Sequence, residues 1–453
     1  MCGIAGAEGK DAQNSVQKML EVIMHRGPDG IGIFSEGNVA LGNVLLKITG
    51  EKSQPISNDG ALTYNGEIYN FKDVSKALNI TTDSDSETLF ALISLKGIEA
   101  AIQELDGDYA FAYYDKQKLY LARDPAGVKP LFYASGDIFS FASEKKALAA
   151  IGIKEVHTLR PGHLLTYSSG IISEKKVISF QEGERINDEK TASTILFKAI
   201  EEAVKKRDYK PCAIAFSGGL DSSLIAALCN NSDLYSVGMA GSHDIPQTIK
   251  AAKLLGIADQ LHLHELEINE VESALPIVIR AIGSSDPMMV SIAMPLYFAS
   301  RDANSDRIRV MLSGQGADEL FAGYKRYESL SCGELEIALE KDLGNIAENN
   351  LERDDTVTMA NSVELRVPYL DRKVVELALR IAPELKIHNR IRKYILRLAA
   401  KKILPDGLVW KEKKAAQYSS GIFSAMEKIA RKNGYEGRQG LGNYLRELMN
   451  EEK

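Results

Sequence analysis

Hydrophobic and polar positions follow two different rhythms along the chain. Up to about residue 165, short apolar runs alternate with polar turns. Ala110-Phe111-Ala112-Tyr113-Tyr114 and Lys118-Leu119-Tyr120-Leu121-Ala122 have the length and aromatic content of strands, and Asp115-Lys116-Gln117 between them predicts a hairpin turn. Apolar positions over Asp85–Lys96 recur at helical spacing, with Ser84 placed to cap the first turn. Arg160-Pro161-Gly162 marks another turn. This half is predicted to be α+β. Residues 168–189 are polar, with few large apolar positions, and read as an interdomain connection.

The second rhythm begins at residues 212–216, a continuous apolar run as expected of a buried parallel strand. A glycine turn and a helix-like stretch over 222–229 follow. Residues 234–239 and 309–312 are further strand candidates, and from about Asp371 the pattern is mostly helical. The prediction is two domains, 1–185 and 186–453. The second is α/β with a parallel sheet and a mostly helical end.

Composition narrows the class. The 453 residues suffice for two or three domains of ~100–200 residues. A net charge of −7 gives no electrostatic basis for nonspecific nucleic-acid binding. The four cysteines, Cys2, Cys212, Cys229 and Cys332, form no CxxC, so no zinc site is expected. Cys212 and Cys229 lie in or beside apolar runs and read as core, and Cys332 reads as a surface thiol. No basic leader precedes an apolar segment, and no apolar run approaches the ~18–20 residues that span a bilayer. The expectation is a soluble, cytoplasmic protein without nucleic-acid or membrane partners.

Cys2 stands apart by position. With Met1 removed, it carries a thiol and a free α-amine on one residue. The amine, with a pKa near ~7.7–8.0, can act as base for its own thiol.

Around it runs an ordered series: Cys2-Gly3-Ile4-Ala5-Gly6, His25-Arg26-Gly27-Pro28-Asp29-Gly30, Tyr64-Asn65-Gly66-Glu67, Asp83-Ser84-Asp85-Ser86-Glu87 and Arg123-Asp124-Pro125-Ala126-Gly127. The series resembles the class II glutamine amidotransferases, which implies an Ntn-hydrolase-like sandwich. The resemblance implies Cys2 as nucleophile, Asn65 and Gly66 as the oxyanion site, and Glu67 and Asp85 as ligands of glutamine's α-ammonium. One position departs: an arginine expected before the glutamine loop falls on Leu45, with Lys47 nearby. Glutamine and free ammonia both stand as nitrogen donors on this reading.

In the second half, Phe216-Ser217-Gly218-Gly219-Leu220-Asp221-Ser222-Ser223 places glycines between a strand and a helix, where backbone N–H groups can face phosphate. Asp221 suits a magnesium ligand. The stretch resembles the SGGxDS signature of ATP pyrophosphatases. Ser313-Gly314-Gln315-Gly316-Ala317-Asp318-Glu319 resembles the second signature of asparagine synthetases, 359–371 a third, and 410–414 a fourth.

The resemblance implies ATP binding by Ala215, Ser217, Gly218, Gly219, Asp221, Ser222, Ser223, Val237, Gly238, Ser313 and Gly314. It implies Mg2+ on Asp221 and Asp318, and Lys413 neutralising the leaving pyrophosphate, with Lys411 and Lys414 as close alternatives. Family members carry glutamate where this chain has Gln315, which leaves Gln315 a positioning role or moves the proton acceptor elsewhere.

The implied reaction forms asparagine from aspartate, ATP and glutamine through β-aspartyl-AMP. Its rivals are an ammonia-dependent ligase with a weak glutaminase, an amidotransferase for another carboxylate, and a non-catalytic nucleotide binder. A homodimer is compatible with the resemblance.

Overall fold

A computed structural model describes residues 2–50, 52–229, 231–411 and 420–450. The chain divides into two units, Met1–Phe180 and Gln181–Lys453.

The first unit contains twelve strands among the described residues: β1 (Cys2–Glu8), β2 (Gly30–Glu36), β3 (Val39–Leu45), β4 (Ile56–Ser57), β5 (Ala61–Ile68), β6 (Gly107–Tyr114), β7 (Leu119–Arg123), β8 (Phe132–Ala134), β9 (Phe139–Ala142), β10 (His157–Thr158), β11 (His163–Ser168) and β12 (Ile171–Lys176). They form two antiparallel sheets, ordered β10-β8-β9-β1-β3-β2 and β12-β11-β7-β6-β5-β4. Period-two alternation sorts each strand's side chains between two layers. Ile4 faces the space between the sheets with Leu41, Ala110, Leu121 and Phe141. Ala5 and Ala7 face outward onto Val16, Met19 and Leu20 of the helix Ala12–Val22. Helices Phe71–Ala77, Asp85–Lys96 and Ile98–Glu104 cover the other sheet. The unit is therefore a helix–sheet–sheet–helix sandwich.

Local rules explain the connections. Asp115 Oδ1 accepts from the backbone N–H groups of Gln117 (2.9 Å) and Lys118 (2.7 Å), which closes the predicted hairpin. Ser84 caps the predicted helix by accepting from Glu87 N–H. The polar stretch 168–189 is not wholly a connection, because Ile171–Lys176 forms β12. An edge strand buries little of either face, so Ile-Ile-Ser-Glu-Lys-Lys carries too few apolar residues to stand out.

The Arg123-to-Leu131 motif proves to be architectural. Arg123, buried, donates to the carbonyls of Lys129 (2.8 Å), Leu159 (2.8 Å) and Gly127 (2.9 Å). Asp124 accepts from the N–H groups of Ala126, Val128 and Lys129. Burial, with Asp108 beside it, pushes the Asp124 carboxyl up to about 6.

The second unit is built on a parallel sheet of β13 (Ala213–Ala215), β14 (Asp233–Met239), β15 (Leu261–Leu266), β16 (Val310–Leu312) and β17 (Glu364–Arg366). Its order is β15-β14-β13-β16-β17. The chain builds outward from β13 in one direction, then resumes on its other side at β16. That reversal opens a crevice beyond the carboxyl ends of β13 and β16. Helices Ile268–Ile282, Pro287–Ser305, Ile422–Lys432 and Gly437–Asn450 share a core with Leu275, Phe298, Met426 and Leu445 fully or almost fully buried. After Asp371 the described chain is helical, apart from a small hairpin of Ile387–His388 with Ile391–Arg392. Among the described residues no single helix is long and apolar enough to cross a membrane.

Arg123→Ala is expected to cost about 3–5 kcal/mol, because it strands buried carbonyls that lose charge-assisted donors. Urea unfolding of the full chain checks this; a loss below ~1 kcal/mol would remove Arg123 from its structural role.

Candidate active sites

In the first unit, β1 places Cys2 opposite Leu45 of β3 and within reach of β5. Cys2 N donates to Asn65 Oδ1 at 3.0 Å. Because Oδ1 accepts there, the Asn65 amide is oriented: its Nδ2 points the other way, buried and without a hydrogen-bond partner among the described residues. An unpaired buried donor is costly unless a ligand supplies an acceptor. Gly66 follows at φ +158°, packed so closely on β6 that a Cβ would lie 2.3 Å from the Asp108 carbonyl oxygen.

Burial pushes the Cys2 thiol up, against the opposing pull of the N-terminal charge, the Leu46 N–H and the Asn43 amide. Gln54 Nε2 approaches Cys2 Sγ at 4.0 Å, while its Oε1 accepts from Tyr64 N–H at 2.8 Å. Arg26 fixes the strand end from below: Nε donates to Cys2 O, and NH1 pairs with Glu144 at 3.0 Å. The His-Arg-Gly-Pro-Asp motif thus supports Cys2. Asp29 serves the same loop by accepting from Lys47 N–H at 2.8 Å.

Two carboxylates stand nearby. Asp85 accepts from Tyr64 OH (2.7 Å) and Ile68 N–H (3.2 Å), and Glu67 accepts from Thr49 Oγ1 (2.7 Å). Burial raises Asp85 to about 7, with Glu67's charge adding to the effect. Mutual repulsion of this kind is relieved by a cation bound between the two groups. Leu45, at the arginine position, ends β3 half-buried, and Lys47 is exposed.

In the second unit, two loops meet at the switch point. After β13, Ser217 Oγ and Ser222 Oγ lie 3.2 Å apart, and Gly219 N–H donates to Ser217 Oγ. Gly218 takes φ +64°, and a Cβ there would lie 2.9 Å from Thr248 Cα, so the tight loop requires glycine. After β16, Gly314 packs against Asp221: its Cβ would lie 3.0 Å from the aspartate Cβ. Beside these loops lies a cavity of about 470 Å3 lined by Ala215, Ser217, Val237, Ser313, Gln315 and Asp318, among others. Ser222 and Ser223 are buried on the helix Leu220–Leu228. Gly218, Gly219, Asp221, Gly238 and Gly314 do not line the cavity itself.

Asp221 and Asp318 share a partner that sequence reasoning missed. Lys393 Nζ, on a buried side chain, lies 2.6 Å from Asp221 Oδ2 and 2.8 Å from Asp318 Oδ1. Burial pulls the lysine down, but the two carboxylates outweigh it and hold it above its ordinary value. Gly323 makes room, since a Cβ there would sit 1.7 Å from Asp318 Oδ1. Asp221 Oδ1 is buried and, among the described residues, without a hydrogen-bond partner. An all-oxygen pair with an orphaned acceptor fits a hard divalent cation such as Mg2+. Of the three lysines in the fourth motif, Lys413 and Lys414 lie outside the described residues. Lys411 Nζ donates to Gly218 O at 3.3 Å, and burial lowers its pKa.

Neither Lys393 nor Gln54 carries a clear signal in the residue order. Lys393 ends the basic run Arg390-Ile391-Arg392-Lys393, which reads as a solvated face; a left-handed backbone at φ 56° accompanies its burial. Gln54 sits before a proline in a loop without hydrophobic pattern. Cys212 and Cys229 are buried as expected, yet they also meet Asp208, whose Oδ1 lies 3.2 Å from Cys229 Sγ.

Comparison with known families places the first unit precisely. Residues 1–158 match the glutamine amidotransferase domain, and residues 196–340 and 333–447 match asparagine synthase. A Methanocaldococcus jannaschii protein bearing the name asparagine synthetase (glutamine-hydrolyzing) 1 is 37% identical, covering 97% of both chains. Asparagine synthetase B (glutamine-hydrolyzing) of Escherichia coli is 30% identical, over 93% of this chain and 85% of its own. Asparagine synthetase (glutamine-hydrolyzing) 1 of Saccharomyces cerevisiae is 29% identical, over 93% and 85%.

Asp85 is expected to titrate near pH 7 in the ligand-free protein, and Glu67→Gln is expected to lower that value by removing a neighbouring negative charge. Carboxyl-carbon NMR checks both. A wild-type Asp85 titrating near pH 4 would dissolve the paired-carboxylate description.

Proposed function

Since this chain belongs to the family of glutamine-hydrolysing asparagine synthetases, we propose that the residues of its two units divide the family's reaction as follows. The reaction itself is ATP-dependent: aspartate, ATP, glutamine and water yield asparagine, AMP, diphosphate and glutamate. The observation that carries the division is the oriented Asn65 amide, whose oxygen accepts from the Cys2 nitrogen while its buried Nδ2 has no partner among the described residues.

In the first unit, the Cys2 sulfur forms a bond to the side-chain carbonyl carbon of glutamine. The carbonyl electron pair moves to oxygen, where Asn65 Nδ2 and the Gly66 N–H receive the charge; one such donor is worth roughly 3–4 kcal/mol in comparable sites. With Met1 removed, the Cys2 amine takes the thiol proton and returns it to the departing nitrogen. The C–N bond breaks, ammonia leaves, and water hydrolyses the thioester to glutamate. Glu67 and Asp85 hold the substrate's α-ammonium.

In the second unit, Ala215 and Val237 face adenosine, while Ser217, Gly218, Gly219, Ser222, Ser313 and Gly314 turn donors toward the phosphates. Val237 and Gly238 run along β14 beside the nucleotide, and Ser223 supports the loop from within the helix. Asp221 and Asp318 are the residues that would hold Mg2+, which supplies charge neutralisation to the polyphosphate when bound. Lys413 neutralises the leaving diphosphate, with Lys411 near Gly218 as the described alternative. An oxygen of the aspartate β-carboxylate attacks the α-phosphorus, diphosphate leaves, and β-aspartyl-AMP results. Ammonia then displaces AMP. A cytoplasmic setting suits the free thiol of Cys2.

Leu45 favours one second reading, in which ammonia is the working donor. Both readings are tested by supplying Mg-ATP and aspartate with either glutamine or ammonium, and measuring asparagine, AMP and diphosphate together. Cys2→Ala is expected to lose at least 100-fold with glutamine and to keep activity with ammonium. Wild-type asparagine from ammonium alone would establish the second reading, and no aspartate-dependent AMP from either donor would sink both.

The pH response has a defined sign. Bound ammonium favours ionised Asp85, whose free value is about 7. The KM for glutamine is therefore expected to rise as pH falls from 8 to 6, with the KM for ammonium-dependent synthesis free of that term. A glutamine KM flat across this range would remove Asp85 from the substrate's amine.

A further inference from the structure

Among the carboxylates lining the second unit's cavity, Asp244 is half-buried and Asp318 is committed to Lys393. Asp354 is different. It lies on the helix Glu352–Met359, it is almost fully buried at 1% exposure, and its two oxygens have separate partners. Oδ1 is gripped by the Arg353 guanidinium, Nε at 2.8 Å and NH2 at 2.7 Å. Oδ2 accepts from Gln315 Nε2.

That second contact decides which way the Gln315 amide faces. A carboxylate only accepts and an amide NH2 only donates, so the NH2 must point at Asp354 and Oε1 must point away from it. Gln315 also lines the cavity, and its backbone N–H is tied to Ser313 Oγ at 3.3 Å. Among the described residues nothing donates to Oε1. The result is an oriented neutral acceptor at the mouth of the loop that follows β16.

We propose that Asp354 is a positioning residue for the ligation step, holding Gln315 so that its carbonyl oxygen accepts an N–H from the ammonia about to attack the acyl-adenylate. This rests on the reading of the second unit given above. Attacking ammonia must aim its lone pair at the acyl carbon, so its hydrogens point away and require acceptors. The Gln315 amide oxygen is such an acceptor, as the carboxylate of the glutamate that family members carry there would be; unlike a carboxylate, it accepts the N–H without also taking the proton. The carboxylate that orients it is set one step back, with its charge offset by Arg353.

As the C–N bond forms, positive charge grows on nitrogen and the amide dipole, polarised by Asp354, is aimed at it. The carbonyl pair moves to oxygen and returns as the bond to the AMP phosphate breaks, and one proton leaves nitrogen for water. Neither side chain forms a bond to substrate. The burial that raises Asp354 is opposed by Arg353 and Gln315.

The test uses the full chain with ammonium chloride as the varied substrate, alongside aspartate-dependent exchange of diphosphate with ATP in the absence of ammonium. Asp354→Asn is expected to lower kcat/KM for ammonium at least tenfold while exchange stays within about twofold. The double variant Gln315→Glu with Asp354→Asn, which again turns an acceptor to the cavity and a donor to its back, is expected to recover most of that loss. Should Asp354→Asn prove insoluble, Gln315→Leu leaves the Arg353–Asp354 pair intact and carries the same expectation.

Ammonium kinetics within twofold of wild type, or exchange falling as far as ligation, overturns the proposal alone. Absent exchange in the wild type overturns the asparagine reading and the proposal with it.

Discussion

One buried ammonium holds together the parts of the second unit that must act at the same place. Lys393 spans Asp221, at the start of the helix after β13, and Asp318, after β16. It thereby ties both sides of the sheet's switch point to the helical end of the chain. Two carboxylates sharing one buried ammonium repel once it is removed; between fully buried partners that costs about 3–5 kcal/mol, and less between these half-buried aspartates. Glycines at 314 and 323 exist to let these groups approach, because a Cβ at either position would press on an aspartate. The geometry of the two loops is therefore a consequence of electrostatics settled without a ligand.

Side-chain amides are aimed by the same logic at each proposed centre. Asn65 is turned by what donates to its oxygen, and Gln315 by what accepts from its nitrogen. In both cases the neighbour has only one hydrogen-bonding capability, so the free end of the amide is determined without a ligand. Such preorganisation spares the reaction the work of rotating a dipole into place.

Much of this was legible in the residue order. The hairpin around Asp115, the Ser84 cap and the strand before Ser217 follow from local spacing, and local hydrogen bonds do form them. Cys2 and the glycine loop could be singled out because each is marked by a few consecutive residues. What escaped was assembled over long separations. Lys393 reaches Asp221 across 172 positions, and Gln54 reaches Cys2 across 52. Neither has a periodic or compositional mark. The Arg123 motif was legible as a motif but not as architecture, since a buried guanidinium feeding three carbonyls looks the same in sequence as one that binds substrate. The strand Ile171–Lys176 was hidden because an edge needs hardly any apolar residue.

The placement of β1 also imposes an order of events on the ribosome. Its first residue is buried, and the strand is clamped between β3 and β9, whose last residue is Ala142. At ~5–20 residues per second, roughly 7–28 seconds separate the start of translation from the arrival of that partner. On the proposed chemistry, trimming of Met1 belongs to that interval, while the nascent end is still open to a peptidase. With β9 docked, the nitrogen of Cys2 is bonded to Asn65 on a buried residue. On that reading, maturation of Cys2 is a race between processing and sheet closure, and the middle position of β1 sets its deadline.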